Sequence, residues 1–209
     1  MADGTVLKVS WYYPPIIYGG AVAGDIQSPA FIRLLAREAA AVRAMFHSRH
    51  YMLSIDELRV LGWDRPGAAG DRPAGAILAR VTRDCRSLFH GDRIYTWSDM
   101  FDPWHNARAH YFLVHGSLKG SWSGLSRRMV IINWNAGHKR RSLKFFSRLG
   151  NRQIIAAYYD APMRDTRSWL QAAHGTPGVI GYMYTTWRQN YRKMGAFARM
   201  VRHYAGGAN

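Results

Sequence analysis

The feature that most constrains the fold is a regular alternation of short, nearly all-apolar runs with amphipathic stretches of helical spacing. Apolar runs of about four to eight residues are typical of strands that are buried on both faces. Strands that alternate with helices pair in parallel and are joined by right-handed crossovers. The sequence therefore predicts an α/β fold with six strands, at residues 6–12, 50–55, 93–98, 129–132, 153–158 and 179–186.

Helices are predicted between these strands from apolar residues spaced three, four and seven apart. Ser28 followed by Pro29 indicates a helix start, because the hydroxyl can cap the first turn and proline is tolerated there. Gly91 and Gly150 mark the ends of two helices. The predicted helices cover residues 28–46, 77–88, 143–149, 168–173 and 191–201, and the predicted loops include residues 14–24, 62–75 and 102–126.

The spacing of the strand ends and the chain length together indicate part of a barrel. The strand ends at residues 56, 99, 135, 160 and 187 lie 43, 36, 25 and 27 residues apart. A (β/α) barrel of about 250 residues averages about 30 residues per strand–helix unit. We therefore predict a single domain, residues 1–209, that forms an incomplete TIM-type (β/α) barrel with about six of the eight units. Because an incomplete barrel leaves sheet edges unpaired, we expect a longer protein or a partner, a second copy included, to complete it.

The net charge of +16 raises the question of a nucleic-acid partner. The basic residues are spread along the chain, and the densest cluster is Lys139, Arg140, Arg141 and Lys144. At helical spacing such a cluster is typical of a solvated helix face. No nucleic-acid-binding motif accompanies it. We therefore expect no nucleic-acid partner, and the alternative of a basic nucleic-acid binder rests on charge alone.

Single features argue against several other kinds of protein and site. Cys85 is the only cysteine, so the sequence offers no internal disulfide and no cysteine-based zinc site. The nine histidines form no His-Glu-x-x-His motif, so we expect no metal and no cofactor. We expect no membrane partner, since no apolar run is long enough to span a bilayer. The start of the sequence lacks a signal-peptide pattern, which predicts a cytoplasmic protein if the chain is complete.

The residues that follow each predicted strand are the main functional signal. In parallel α/β sheets, ligands bind at the carboxyl ends of the strands. Sugars offer apolar ring faces to aromatic side chains and hydroxyls to carboxylates and amides, so Trp, Tyr, Asp and Asn at this edge predict a carbohydrate site. The candidate substrate-binding residues are Trp97, Asp99, Trp134, Asn135, Tyr158, Asp160 and Trp187.

The adjacent carboxylates Asp56 and Glu57 are the candidate catalytic pair. A glycosidase needs a carboxylic acid that protonates the leaving oxygen, and a neighbouring carboxylate raises the pKa of such an acid. The alternative is a helix N-cap, since acidic residues are favoured at helix starts. Their position after a buried strand, among similar strand ends, keeps both interpretations open.

The other candidates also have structural alternatives. Asp99 and Asp160 could be turn or cap residues, and the tryptophans at strand ends could be core aromatics. His105 and Asn106 could line a substrate site, but they are more typical of polar residues in an ordinary loop.

The order of these strand ends resembles that of the hexosaminidase-like (family 20) glycoside hydrolases over about residues 50–187. In that family an adjacent Asp-Glu follows the fourth barrel strand. By this resemblance Glu57 would be the general acid, and Asp56 would orient the substrate's 2-acetamido group, which itself acts as the nucleophile. The chain would then hold strands three to eight of the barrel.

Further residues extend the resemblance, with two departures. The family has a Tyr-x-Asp on its seventh strand that contacts the acetamido group, and residues 158–160 match it. Trp134 and Trp187 would form walls of the sugar subsite. Ser54 stands where the family usually has Gly, and its Gly-Gly-Glu pattern is reduced here to Gly181-Tyr-Met-Tyr.

The resemblance implies a glycoside hydrolase that acts on N-acetyl-hexosaminide-type sugars, with a carbohydrate as its substrate. The alternative is a non-catalytic carbohydrate-binding remnant of such a barrel.

Overall fold

The structure is a computed structural model that describes residues 6, 16–18, 21–22, 24–62 and 73–206. Its strands are β1 (Ile16–Tyr18), β2 (Ala21–Val22), β3 (His50–Leu53), β4 (Arg93–Trp97), β5 (Val130–Asn133), β6 (Arg152–Tyr159) and β7 (Val179–Thr185). Its helices are α1 (Pro29–Phe46), α2 (Ala74–Ser87), α3 (Lys139–Arg148), α4 (Met163–Ala173) and α5 (Met194–Gly206).

Strands β3 to β7 form one parallel sheet in which each strand pairs with the next one along the chain. This confirms the predicted mixed α/β class with parallel strands and intervening helices. The predicted strand at residues 6–12 lies outside the described residues, apart from Val6. Closure of the sheet into a barrel stays a prediction.

The sequence predicted the presence of each helix α1 to α5 correctly, and the first and last residues of the helices less accurately. The Ser28 hydroxyl accepts a hydrogen bond from the Ala30 amide at 3.2 Å, as expected for the cap of α1. The predicted start of α4 at Ser168 is wrong, because the helix begins at Met163 directly after Pro162. The predicted loop at residues 14–24 contains the short antiparallel pair of β1 and β2.

Two apolar clusters hold the helices against one face of the sheet. The larger joins α2 and β5 to the long connection between β4 and β5, and its fully buried members include Leu78, Met100, Phe101, Leu118, Ile131 and Phe146. The second joins β6 to α4 and α5, and its members include Ile155, Tyr158, Trp169 and Phe197. The helices and the long connection thus fix the strands at whose carboxyl ends the candidate residues lie.

Helix α1 leaves much of its apolar stripe uncovered. Among its residues only Ala39 is buried, and the Met45 and Phe46 side chains are 72% and 66% exposed. Cys85, on α2, is half-buried against the larger cluster, and burial raises the pKa of its thiol. Within the described ranges no helix has both the length and the apolar character needed to cross a bilayer.

Two glycines allow α2 to approach the segment that precedes β5. A Cβ on Gly75 would lie 2.2 Å from the Lys119 carbonyl oxygen, and a Cβ on Gly124 would lie 2.5 Å from the Ala79 carbonyl oxygen. Both obstructing atoms belong to backbone, which cannot rotate away as a side chain can. The close contact therefore requires glycine at both positions.

We expect Gly124→Ala to lower the free energy of unfolding by about 2 kcal/mol or more, because the added methyl forces α2 away from its contact. Gly137→Ala is the matched control, since its Cβ would meet its nearest neighbour, Asn135 Oδ1, at an ordinary 3.6 Å. Urea denaturation of both variants measures the difference. Equal stability of the two variants would contradict the packing described here.

Candidate functional site

The loops after strands β3 to β7 bring carboxylates and aromatic rings together at the carboxyl edge of the sheet. Asp56 and Glu57 follow β3, Asp99 follows β4, Trp134 follows β5 and Trp187 follows β7. Contacts between these loops join the parts of the site, as the parallel topology predicts.

Four aromatic rings form a continuous row along this edge. The centroid of the His105 ring lies 4.5 Å from that of Trp134, in an edge-on arrangement. Trp134 stacks on Tyr159, with centroids 5.8 Å apart and planes inclined by 18°, and Tyr159 lies 6.0 Å from Trp187. We call His105, Trp134, Tyr159 and Trp187 the aromatic row. Tyr159 and Trp187 are 44% and 64% exposed, so ring surface is available to a ligand.

Asp99 is a buried carboxylate that joins three parts of the site. It has no exposed surface. One oxygen accepts hydrogen bonds from the Glu57 amide at 3.0 Å and from Asn106 Nδ2 at 2.9 Å. The other accepts from Trp134 Nε1 at 3.3 Å. Asp99 was predicted to contact substrate directly, and in the structure its contacts instead position Glu57 and Trp134.

The pKa values of Asp99 and Asp56 are both raised. Burial raises the pKa of Asp99 to about 6, although the hydrogen bonds from Glu57, Trp134 and Asn106 act in the opposite direction. Burial likewise raises the pKa of Asp56 to about 6, and the negative charges of Asp99 and Glu57 add to the effect. The site therefore contains a half-buried carboxyl group that exchanges its proton near neutral pH, as an acid or base in catalysis must.

Asp56 and Glu57 are not helix-cap residues, so the alternative interpretation of this pair is wrong. They lie in an irregular turn after β3, and the next described helix, α2, begins at Ala74. Glu57 has a left-handed backbone with φ of 44°. Its exposed carboxylate pairs with the Arg59 guanidinium at 2.6 Å.

Asp160 positions Trp187 at the end of the aromatic row. Its backbone is left-handed, with φ of 52°. Its carboxylate accepts hydrogen bonds from Thr186 Oγ1 at 2.6 Å and from the amides of Trp187 at 2.5 Å and Arg188 at 3.1 Å. These bonds tie the loop after β6 to the loop after β7.

A second buried carboxylate, Asp102, supports the loop after β5. It accepts hydrogen bonds from Asn135 Nδ2 at 3.0 Å, from Ser142 Oγ at 2.5 Å and from the Trp104 amide at 2.9 Å. Asn135 was predicted to bind substrate, but it is buried and its amide is committed to this network. It supports the neighbouring Trp134 instead.

Two other predicted binding residues are not part of the aromatic row. Tyr158 is 1% exposed and stacks on Tyr184 in the core between β6 and the helices, so it offers no surface to a ligand. Trp97 is half-buried within β4, paired in register with Ile132 of β5. The exposed tyrosine at the end of β6 is the next residue, Tyr159.

Besides Tyr159, sequence reasoning missed three residues of the site. Tyr111 is half-buried, and burial together with the charges of Glu57 and Asp99 raises its pKa to about 12. Arg59 and Asp102 were not singled out either. All three lie in irregular segments, where no periodic pattern indicates which side chains point inward. Among the described residues no group of three or more His, Cys, Asp or Glu side chains could hold a metal ion.

Comparisons with known proteins give only a distant likeness. No protein-family model matches the sequence, and no curated protein matches it. A solved structure of an exo-β-N-acetylglucosaminidase of glycoside hydrolase family 20 from Vibrio harveyi, an inactive mutant, aligns with a TM-score of 0.49 and 13% sequence identity. The alignment covers 91% of this chain and 32% of that one, so the chain spans about a third of its length. This likeness concerns the general fold and says nothing about the residues of the site.

We expect the stability of the protein relative to its Asp99→Asn variant to fall as the pH rises from about 4 to 7. The folded-state pKa of Asp99 is raised from 3.8 to about 6, so its contribution is full below pH 3.8 and is lost as the pH rises through about 6. This difference in the pKa of Asp99 between the folded and unfolded states corresponds to about 3 kcal/mol in the free energy of unfolding.

Urea denaturation across this pH range measures the effect. The control is Asp84→Asn, which removes a half-exposed carboxylate from α2. We expect the stability of the wild type to fall with rising pH relative to Asp99→Asn, and not relative to Asp84→Asn. Parallel stability curves for the wild type and Asp99→Asn would contradict the buried, protonatable Asp99.

Proposed function

We propose that this chain is a glycoside hydrolase that acts on N-acetyl-hexosaminide-type sugars at the carboxyl edge of its sheet. The observation that carries the proposal is the joining of the aromatic row to a carboxylate pair through Asp99, which bonds both the Glu57 amide and the Trp134 ring. A sugar stacked on the row would thus lie beside Asp56 and Glu57.

The aromatic row supplies the surface that a pyranose ring needs. Tyr159 and Trp187 expose ring surface, and their inclination of 55° gives two differently oriented platforms. Large rigid rings contribute apolar contact at low cost in side-chain entropy. The neighbouring carboxylates supply acceptors for sugar hydroxyls and for an amide N–H.

The proposed reaction uses the two carboxyl groups in different roles, by resemblance to family 20. Protonated Glu57 donates its proton to the glycosidic oxygen as the bond to the anomeric carbon breaks. The substrate's acetamido oxygen attacks that carbon, while the Asp56 carboxylate accepts the acetamido N–H and stabilises the positive charge that develops. Water then opens the cyclic intermediate and returns a proton to Glu57.

The electrostatics of the pair set two conditions on this scheme. The Glu57 carboxylate is held by the Arg59 guanidinium at 2.6 Å, so this ion pair must open before the carboxyl group can approach a glycosidic oxygen. Asp56 must be ionised to stabilise positive charge, and its pKa is about 6. The fraction of molecules in which Asp56 meets this condition therefore increases as the pH rises through about 6.

The alternative function is carbohydrate binding without cleavage. The Glu57–Arg59 ion pair is the specific observation that favours it, because the guanidinium occupies a carboxylate oxygen that would have to transfer the proton. Binding by the aromatic row does not depend on that proton.

We expect Glu57→Gln to lower kcat/KM on 4-nitrophenyl N-acetyl-glucosaminide and N-acetyl-galactosaminide by about a hundredfold or more, because the amide cannot donate the proton. Glu38→Gln, an exposed change on α1, is the matched control and should keep full activity. Asp56→Asn should also lose activity, because the amide cannot stabilise the positive charge that develops on the acetamido group. Unchanged activity in Glu57→Gln would exclude Glu57 as the acid.

We expect Trp187→Ala to weaken the binding of an N-acetylglucosamine oligomer by about tenfold, through loss of an exposed ring of the aromatic row. Tyr191→Ala removes another exposed ring, 60% accessible, outside the row and serves as the control. Titration calorimetry with both variants measures the difference. Wild-type binding without turnover would identify the non-catalytic function, and equal binding by Trp187→Ala would contradict the proposed sugar site.

A further inference from the structure

The opposite edge of the sheet carries a second regularity, which the proposed function does not use. Arginines stand at the amino end of four neighbouring strands: Arg49 precedes β3, Arg93 begins β4, Arg127 and Arg128 precede β5, and Arg152 begins β6. The strands are parallel and in register, with residue 50 paired to 93 and residue 130 to 152. These arginines therefore lie side by side at the edge opposite the carboxylates.

The arginines line a recess of about 800 Å³. A sixth arginine, Arg86 near the end of α2, joins them, together with two histidines. We call this cavity the basic recess and define it by Arg49, Arg86, Arg93, Arg127, Arg128 and Arg152. Residues of the candidate sugar site do not line it.

The charge of the basic recess is not balanced within the part of the chain that the structure describes. Asp92 is the only carboxylate in its lining. Asp92 is buried, forms an ion pair with Arg43 of α1 and lies 4.0 Å from Arg49, so its charge is already neutralised. No described carboxylate forms an ion pair with the other five arginines.

Arg86 gives independent support for a missing acceptor. Its Nε is buried and has no hydrogen-bond partner among the described residues. A buried N–H without an acceptor costs free energy, and the cost is greater when the group is charged. Arg86 also lines the basic recess, so an anion there would offer an acceptor to the part of its guanidinium that reaches the recess.

We propose that the basic recess binds a compact anion that carries two or more linked phosphate groups. The planar guanidinium matches the oxygens of a phosphate with two parallel hydrogen bonds. Neighbouring strands lie about 4.8 Å apart, so arginines on four strands span about 14 Å, which exceeds the reach of a single phosphate. The arginines converge on one concavity rather than along a track, which favours a compact oligophosphate over a nucleic-acid strand.

The test is calorimetric titration of the whole chain with inorganic tripolyphosphate and, separately, with orthophosphate. We expect tripolyphosphate to bind more tightly, with an affinity that falls as salt is added. In Arg93→Gln/Arg152→Gln its affinity should fall by about tenfold or more. The control, Arg164→Gln/Arg167→Gln, removes the same charge from exposed positions on α4 and should change the affinity less than about twofold.

Further variants separate a specific site from the general charge of the protein. Arg93→Lys/Arg152→Lys keeps the charge but loses the planar guanidinium that can donate two parallel hydrogen bonds. An affinity between those of the wild type and the glutamine variant therefore supports bidentate recognition. If the glutamine double variant fails to fold by circular dichroism, Arg128→Gln, an exposed residue in a loop, takes its place. A single-stranded oligonucleotide is titrated in parallel.

Three results would overturn the proposal. These are no binding of tripolyphosphate by the wild type, equal losses in the recess variant and the α4 control, or tighter binding of the oligonucleotide than of tripolyphosphate. The last result would assign the basic recess to a nucleic-acid strand. None of them bears on the sugar site at the other edge, so the two proposals fail separately.

Discussion

The candidate site depends on one buried carboxylate, Asp99. Removing this group from water is costly, and the protein offsets the cost with three hydrogen-bond donors from different segments. Each donor is held in turn: the Glu57 amide in a left-handed turn, Asn106 in the long connection, and Trp134 after β5. A buried carboxylate that lacks some of its hydrogen bonds destabilises the fold. The three segments that supply the donors must therefore be in place together.

The parallel sheet separates charge between its two edges. Carboxylates follow β3, β4 and β6 at one end, and arginines stand at the other end of β3 to β6. Parallel pairing alone does not produce this, because the sequence must repeat the same choice on several strands. The carboxylates and the arginines recur on strands that are far apart in the sequence. We therefore interpret both edges as binding sites rather than as scattered surface charge.

The sequence allowed the sheet and the edge that bears the site to be predicted, but not the direction of each side chain. Strand periodicity and the parallel topology placed Asp56, Asp99, Trp134 and Trp187 near one another. Tyr158 was selected as a strand-end aromatic that matches Tyr-x-Asp, and that pattern does not show which of the two adjacent tyrosines faces the core. The register of β6 also shifts against β7 between Ala156 and Tyr158, and such an irregularity breaks simple alternation. Burial of Asp99 was equally hidden, since its hydrogen-bond donors come from residues up to 42 positions away.

The same bonds couple the aromatic row to the acid chemistry of the site. Trp134 is at once a ring of the row and a donor to Asp99, so a ligand that shifts the ring alters the hydrogen bonds that favour ionised Asp99. The charge of Asp99 in turn raises the pKa of Asp56. The binding of a ligand that moves Trp134 and the protonation of Asp56 are therefore linked. By reciprocity, the affinity for such a ligand must depend on pH in the range where Asp56 and Asp99 titrate.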